Sequence, residues 1–239
     1  MENMKPRNYG YCVICEKDTE FIEENPWLRD HYLCTSCKSI PRQRALINTL
    51  NEFYPEWKTM DIYESSPCGP ASKFLKTKND QYVSSHLFSE DLPSGSYVKG
   101  IRNENLERMS FGDVSFDLVI TQDVFEHVME PDKAFNEISR ILRPGGAHVF
   151  TMPWYSDLEK TRRRAKKMNG EIIYLEEPQY HGNPVDAKGS LVTFDWGRDF
   201  TDFIFEHSNM QTLIYLVKDK YLGLDAEFLH VFVSRKKET

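Results

Sequence analysis

Four cysteines stand in two close pairs, Cys12-Val13-Ile14-Cys15 and Cys34-Thr35-Ser36-Cys37, with eighteen residues between the pairs. Each pair presents two thiolates from a tight turn. Two such turns close a tetrahedral shell around Zn²⁺ and leave no coordination position for a substrate. The pattern therefore predicts a structural zinc site of Cys12, Cys15, Cys34 and Cys37, with Cys68 left over. A second group of reactive side chains, Gln122, Asp123, Glu126 and His127, follows the apolar run that begins at Phe116. Histidine titrates near neutrality, so His127 is a candidate general base, with Asp123 able to orient or replace it. His181 is a second candidate. The competing use of Glu126-His127 is to cap and pack the following helix.

The elements that position these groups are legible around residues 116–153. Two short apolar runs, Phe116-Asp117-Leu118-Val119-Ile120 and Ala147-His148-Val149-Phe150-Thr151-Met152, flank a segment of helical period. Ala134, Phe135, Ile138, Ile141 and Leu142 fall on one helical face, and Pro144 with Gly145-Gly146 turns the chain into the second run. This is a β-α-β unit with buried parallel strands, which predicts an α/β doubly wound sheet. Upstream, Ser39 is a plausible N-cap for a helix with Pro41 in its first turn and an apolar stripe of Ala45, Leu46, Leu50 and Phe53. Arg42 and Arg44 read as solvated charge on that helix, the alternative being contact with a substrate phosphate.

A chain of 239 residues holds one full α/β domain and a small appendage. The expected division is a zinc-ribbon module over 1–40 and the main domain over 41–239. The absence of a long apolar run or a signal-like N-terminus predicts a soluble, cytoplasmic protein. A net charge of −7 disfavours nonspecific contact with nucleic acid. Between the knuckles, Lys17 and Arg29 face six acids, Glu16, Asp18, Glu20, Glu23, Glu24 and Asp30, which points the same way.

The ordered combination Ser115-Phe116-Asp117-Leu118-Val119-Ile120, Glu126-His127-Val128 and Arg140-Ile141-Leu142-Arg143-Pro144-Gly145-Gly146 resembles the central motifs of class I S-adenosylmethionine (SAM)-dependent methyltransferases. The resemblance implies a Rossmann-like sheet of seven strands, the last antiparallel, with SAM bound at the first β-α turn. It assigns that turn to Glu64, Ser66, Cys68 and Gly69, following a strand over Met60 to Glu64. Ser66, Cys68 and Pro70 stand where the family has glycines, and Gly69 is off register. It assigns the ribose contact to His86, at the end of a second strand, in place of the usual carboxylate. The adenine contact falls to Asn105 and Leu106, and Gln122 faces the cofactor cleft. Asn105 is otherwise a turn residue.

Beyond Pro153, residues of about 154–196 form a loop-rich insertion of the kind that recognises substrate. Trp154, Tyr155, Tyr180 and Trp196 are candidates to wall an acceptor pocket or to stack on a sugar or base. The run Arg162-Arg163-Arg164-Ala165-Lys166-Lys167 is either a solvated helix face or a contact for an anionic acceptor. Helix and strands from Asp199 onward complete the sheet. The combined reading is a SAM-dependent methyltransferase with structural Zn²⁺, acting on a hydroxyl of a small-molecule, sugar or nucleotide-linked acceptor in surface polysaccharide biosynthesis. The alternatives are an rRNA methyltransferase that uses its ribbon on RNA, and a non-catalytic interaction module that has lost SAM.

Overall fold

The computed structural model describes residues 5–183 and 187–238. The chain opens with strands β1 (Arg7–Cys12) and β2 (Lys17–Glu23), a short helix α1 (Leu28–His31) and β3 (Tyr32–Cys34), which pair as an antiparallel sheet in the order β1-β2-β3. Helix α2 (Pro41–Phe53) follows, with β4 (Ile62–Ser65), α3 (Gly69–Lys78) and β5 (Tyr82–His86) after it. Next come β6 (Tyr97–Val98), β7 (Ile101–Asn103), β8 (Phe116–Gln122), α4 (Pro131–Ile141) and β9 (Leu142–Thr151). The insertion contributes short strands β10 (Arg162–Arg163), β11 (Ala165–Met168), β12 (Glu171–Tyr174), β13 (Tyr180–His181), β14 (Ser190–Leu191) and β15 (Phe194–Asp195). Helix α5 (Phe200–Ser208), β16 (Gln211–Tyr215) and β17 (Val231–Arg235) close the chain.

The main sheet runs β16-β17-β9-β8-β4-β5-β7-β6. Parallel pairing joins β4 to both β5 and β8, and β8 to β9, whereas β17 is antiparallel to its neighbours β9 and β16. This is the expected Rossmann-like order with one more strand than the expected seven. Residues 97–98 pair antiparallel with β7 across the Lys99-Gly100 turn, where both residues have positive φ, and this adds β6 at the edge. Chain order reverses between β5 and β8 on either side of β4, so a crevice opens at the carboxyl ends of these strands, where such sheets bind ligands.

The helical period before the second apolar run has the predicted consequence. Ala134, Phe135, Ile138 and Ile141 are buried on α4, and Leu142 continues the buried stripe as the first residue of β9. Full burial of each large aliphatic side chain contributes roughly 1.5–3 kcal/mol. The expected boundary at residue 40 falls at the start of α2, and the apolar core runs across it: Val13, Phe21 and Tyr32 share one cluster with Leu46, Leu50, Val149 and Leu224.

Three expectations for this region need correction. Ser39 does not cap α2; the N-cap position is Ile40, and the buried Ser39 hydroxyl lies 3.1 Å from the Cys37 sulfur and 3.2 Å from Arg44 Nη1. Arg44 is fully buried. It donates to the carbonyls of Ser39, Tyr32 (2.9 Å) and Gly223 (2.7 Å), and its guanidinium lies 4.6 Å from the centre of the Phe21 ring. Burial lowers its pKa to about 10, which leaves it charged at neutral pH. Arg42, far from being free surface charge, pairs with Asp30 and Asp123. Among the described residues no helix is long and apolar enough to cross a membrane.

Candidate active site and metal cluster

Cys12, Cys15, Cys34 and Cys37 converge, with Cys12 and Cys37 sulfurs 3.9 Å apart and Cys15 and Cys34 sulfurs 3.7 Å apart. Four thiolates bound at about 2.3 Å to one tetrahedral ion lie roughly 3.8 Å apart, so the donor set fits a divalent metal with no position left open. The antiparallel register of β1 with β2 and of β2 with β3 brings the two knuckles together.

A cavity of about 350 Å³ occupies the crevice at the carboxyl ends of β4, β5 and β8. Of the expected cofactor residues, Ser66, Cys68, His86, Asn105, Leu106 and Gln122 line it. Ser66 adopts a left-handed conformation (φ 57°), the backbone region that glycine enters most easily. His86 is the last residue of β5, and burial lowers its pKa, which favours the neutral ring that can accept a hydrogen bond. Asn105 Oδ1 accepts from the Glu107 amide at 2.8 Å, the turn role that competed with its adenine role.

Glu64 and Gly69 are outside the lining. Glu64 is fully buried and accepts from Ser72 (2.7 Å), Gln122 (2.7 Å) and the Tyr82 hydroxyl (2.6 Å). Burial raises its pKa in spite of these three donors. The carboxylate thus braces Gln122, which does reach the cavity, instead of facing it. Gly69 (φ 73°) begins α3 against Gln43, whose Nε2 would lie 2.3 Å from an added Cβ.

The three base candidates separate. Asp123, in a left-handed conformation (φ 51°), receives Arg29 Nη2 at 2.6 Å, Arg42 Nε at 2.9 Å and the Thr151 hydroxyl at 2.9 Å. Burial would raise its pKa, but the two arginine charges outweigh it and hold the carboxyl below its usual range. A carboxylate this well held is a poor proton acceptor, so the reading of Asp123 as a replacement base is corrected to that of a structural anion. Its partner Arg29 belongs to α1, so the cysteine module reaches the cleft wall. His127 lines the cavity; its Nδ1 lies 2.9 Å from the Leu191 carbonyl. A carbonyl only accepts, so Nδ1 carries the proton and Nε2 the lone pair. The His181 ring centre is 5.0 Å from that of His127, and the adjacent Glu126 carboxylate raises its pKa against the effect of burial. Glu126 and His127 do not cap α4, whose N-cap is Glu130.

The insertion is closed at its neck by a bridge between Trp154 and Trp196. Its aromatics do not wall the cavity. Trp196 is fully buried against Phe194, Trp154 packs on Phe200 and His230, and Tyr155 and Tyr180 are exposed. Gly182, Asn183, Ser190 and Leu191 line the cavity in their place. The basic run is neither helical nor free: Arg162 and Arg164 pair with Asp195, Arg163 with Glu130 and Lys167 with Glu90. Pro184, within the expected irregular segment, lies outside the described residues. Sequence reasoning missed Glu104 and Met129 in the lining, which also includes Arg42, the residue weighed as a substrate-phosphate contact. Glu104 sits beside Asn105 in sequence and was the findable one.

Residues 71–150 match the model of a family described as a methyltransferase domain. A stretch of 57 residues is 39% identical to a dimethylglycine N-methyltransferase of Parasynechococcus marenigrum, covering 24% of this chain and 20% of that protein. The chain spans about a fifth of the length of the curated relatives it matches. Among solved structures it is similar to Streptomyces venezuelae DesVI, with a TM-score of 0.52 at 12% identity over 82% of this chain and 92% of that one. It is also similar to an S-adenosylmethionine dependent methyltransferase from Mesorhizobium loti, with a TM-score of 0.49 at 18% identity over 80% and 98% of the two chains.

Proposed function

We propose, on the premise that residues 71–150 carry a methyltransferase domain within a class I, Rossmann-like sheet, that this chain transfers the methyl group of SAM to a hydroxyl oxygen of a small-molecule acceptor. The observation that carries the reading is the cavity at the switch point of the sheet, whose volume is in the range of ligand pockets and whose wall includes a histidine held with Nε2 as its lone-pair nitrogen. Ser66, His86, Asn105, Leu106 and Gln122 are the residues that would hold the cofactor. Bound SAM supplies an electrophilic methyl on a sulfonium, which departs as a neutral thioether.

The protein's own part is to position and to move one proton. Gln122, tied to Glu64, and the turn at Ser66 fix one wall; Leu106 and Val128 supply apolar surface. Holding the acceptor oxygen in line with the methyl carbon accounts for much of the rate of such a displacement. His127 Nε2 takes the hydroxyl proton as the oxygen–carbon bond forms, and the Leu191 carbonyl steadies the imidazolium through Nδ1–H. Sugar or nucleotide-linked acceptors suit a polar rim of Asn183, Ser190 and Glu107. The arginine run adds little support for an anionic acceptor, because its arginines are already paired. We further propose that the four cysteines hold structural Zn²⁺ in a ribbon over residues 1–40.

The test is methyl transfer from isotopically labelled SAM to a panel of sugar, sugar-nucleotide, amine and RNA acceptors, followed by mass spectrometry. Label on a hydroxyl, lost in His127→Asn with cofactor affinity kept, supports the reading. Label on nitrogen, unaffected by that change, refutes the hydroxyl assignment.

A further inference from the structure

We propose that Glu126, His127 and His181 form a divalent transition-metal site beside the cavity, which it meets at His127, separate from the four-cysteine cluster. One ligand atom from each lies within 4.8 Å of the other two. The Glu126 side chain is 2% exposed, and among the described residues neither of its carboxylate oxygens has a hydrogen-bond partner. A carboxylate taken out of water without donors needs a cation to offset its desolvation. Two imidazole nitrogens face it. His127 Nε2 and His181 Nδ1 both stand 3.7 Å from Glu126 Oε1.

That separation is wider than a hydrogen bond and nearer to the spacing of two ligands on one ion. A charge-assisted N–H···O bond closes to about 2.7–2.9 Å. Ligands bound at about 2.0–2.1 Å to one tetrahedral ion stand roughly 3.3–3.4 Å from each other. Half-exposed His181, on the two-residue strand β13, needs only a small inward shift to complete the set. His127 is already arranged as a ligating histidine usually is, with the remote nitrogen donating to a backbone carbonyl so that the lone pair faces the carboxylate. Two imidazoles and one carboxylate suit Zn²⁺ or a neighbouring first-row divalent ion better than Mg²⁺ or Ca²⁺. Three protein ligands leave a position open, as catalytic metal sites do. On the methyltransferase reading above, an ion held there would offer that position to the acceptor hydroxyl and would promote loss of its proton to solvent, taking over the part that His127 Nε2 plays in the metal-free protein.

The experiment counts metal on the full chain after equilibration with excess Zn²⁺ and gel filtration, with SAM binding measured on the same samples. The wild type should carry two zinc ions, and His181→Ala and Glu126→Gln one each. His181 is exposed enough that its truncation leaves the fold intact, which keeps the test valid if Glu126→Gln misfolds. With Co²⁺ as the probe, the first equivalent should show thiolate charge transfer and the second should not. A single equivalent with thiolate character in the wild type, or two retained in His181→Ala, overturns the proposal. Two ions without SAM binding would leave the metal site standing and remove the methyltransferase reading; SAM binding with one ion would do the reverse.

Discussion

Replacing Arg29 with methionine tests whether the cysteine module is energetically joined to the cleft. The Arg29 guanidinium donates to Asp123 Oδ2 at 2.6 Å and to the Phe228 carbonyl at 2.7 Å, and its side chain is 6% exposed against 19% for Asp123. Methionine keeps the apolar stem that lies by the Phe228 ring. The hydrogen bond to the carboxylate is worth about 1.5–3 kcal/mol and the one to the carbonyl about 1 kcal/mol. Arg42 and Thr151 still hold Asp123, so the cost of stranding a buried charge does not apply in full. The expected loss is about 2–4 kcal/mol, read as a lower urea midpoint at unchanged slope in zinc-loaded protein. A cycle of Arg29→Met, Asp123→Asn and the double variant should give a coupling of about 1.5–3 kcal/mol. Coupling below about 0.5 kcal/mol, the size of an exposed pair, would refute the argument.

On the zinc proposal, a chelator should lower the melting temperature and weaken cofactor binding, because Arg29 and the Ser39–Arg44 contacts belong to the segment that the cysteines would hold; a chelated protein with an unchanged melt would count against a structural metal there. Gly223→Ala should destabilise by about 2 kcal/mol or more by thermal melt, since φ is +67° and an added Cβ would lie 2.7 Å from the Phe21 ring beneath the carbonyl that Arg44 holds. An unaltered melt would show that this contact yields. Burial lowers the pKa of His148 to about 3, against about 6.5 for the unfolded imidazole. The unfolded chain therefore binds the extra proton between those values, and stability present above about pH 6.5 falls with acidification by up to about 1.4 kcal/mol per pH unit. His148→Gln, which can keep the bond to Thr121 (3.0 Å in the wild type), should flatten that limb; an identical slope would refute the assignment.

What was legible in the sequence was whatever rests on local period and spacing. The α4 stripe, the flanking apolar strands and the two cysteine knuckles each declare their geometry within a dozen residues, and the order of these pieces carried the fold. The cleft was legible where it follows from strand ends: Ser66, His86 and Gln122 reach it because they end or follow β4, β5 and β8. The misses share one cause, contacts between distant segments. The stripe of α2 alone offers Arg44 no cover, whereas the loop at Gly223, 179 residues away, buries it. The basic run looked available because its acids, Asp195, Glu130 and Glu90, lie far along the chain. Trp154 and Trp196 pack inward and do not wall the pocket, because large apolar surface at the neck of an insertion is more stable buried. Glu64 lies at the end of β4 but turns under the floor, because Tyr82, Ser72 and Gln122 converge there to satisfy it.

The central claim is that the crevice at the ends of β4, β5 and β8 binds SAM although its turn lacks the usual glycines. Calorimetric titration of zinc-loaded protein with SAM and with S-adenosylhomocysteine (SAH) tests it most directly. Micromolar binding to one or both is expected, weakened by about tenfold in Asn105→Ala and in Ser66→Pro, the second of which cannot adopt the left-handed turn. No binding at millimolar ligand, or binding indifferent to both substitutions, would contradict it.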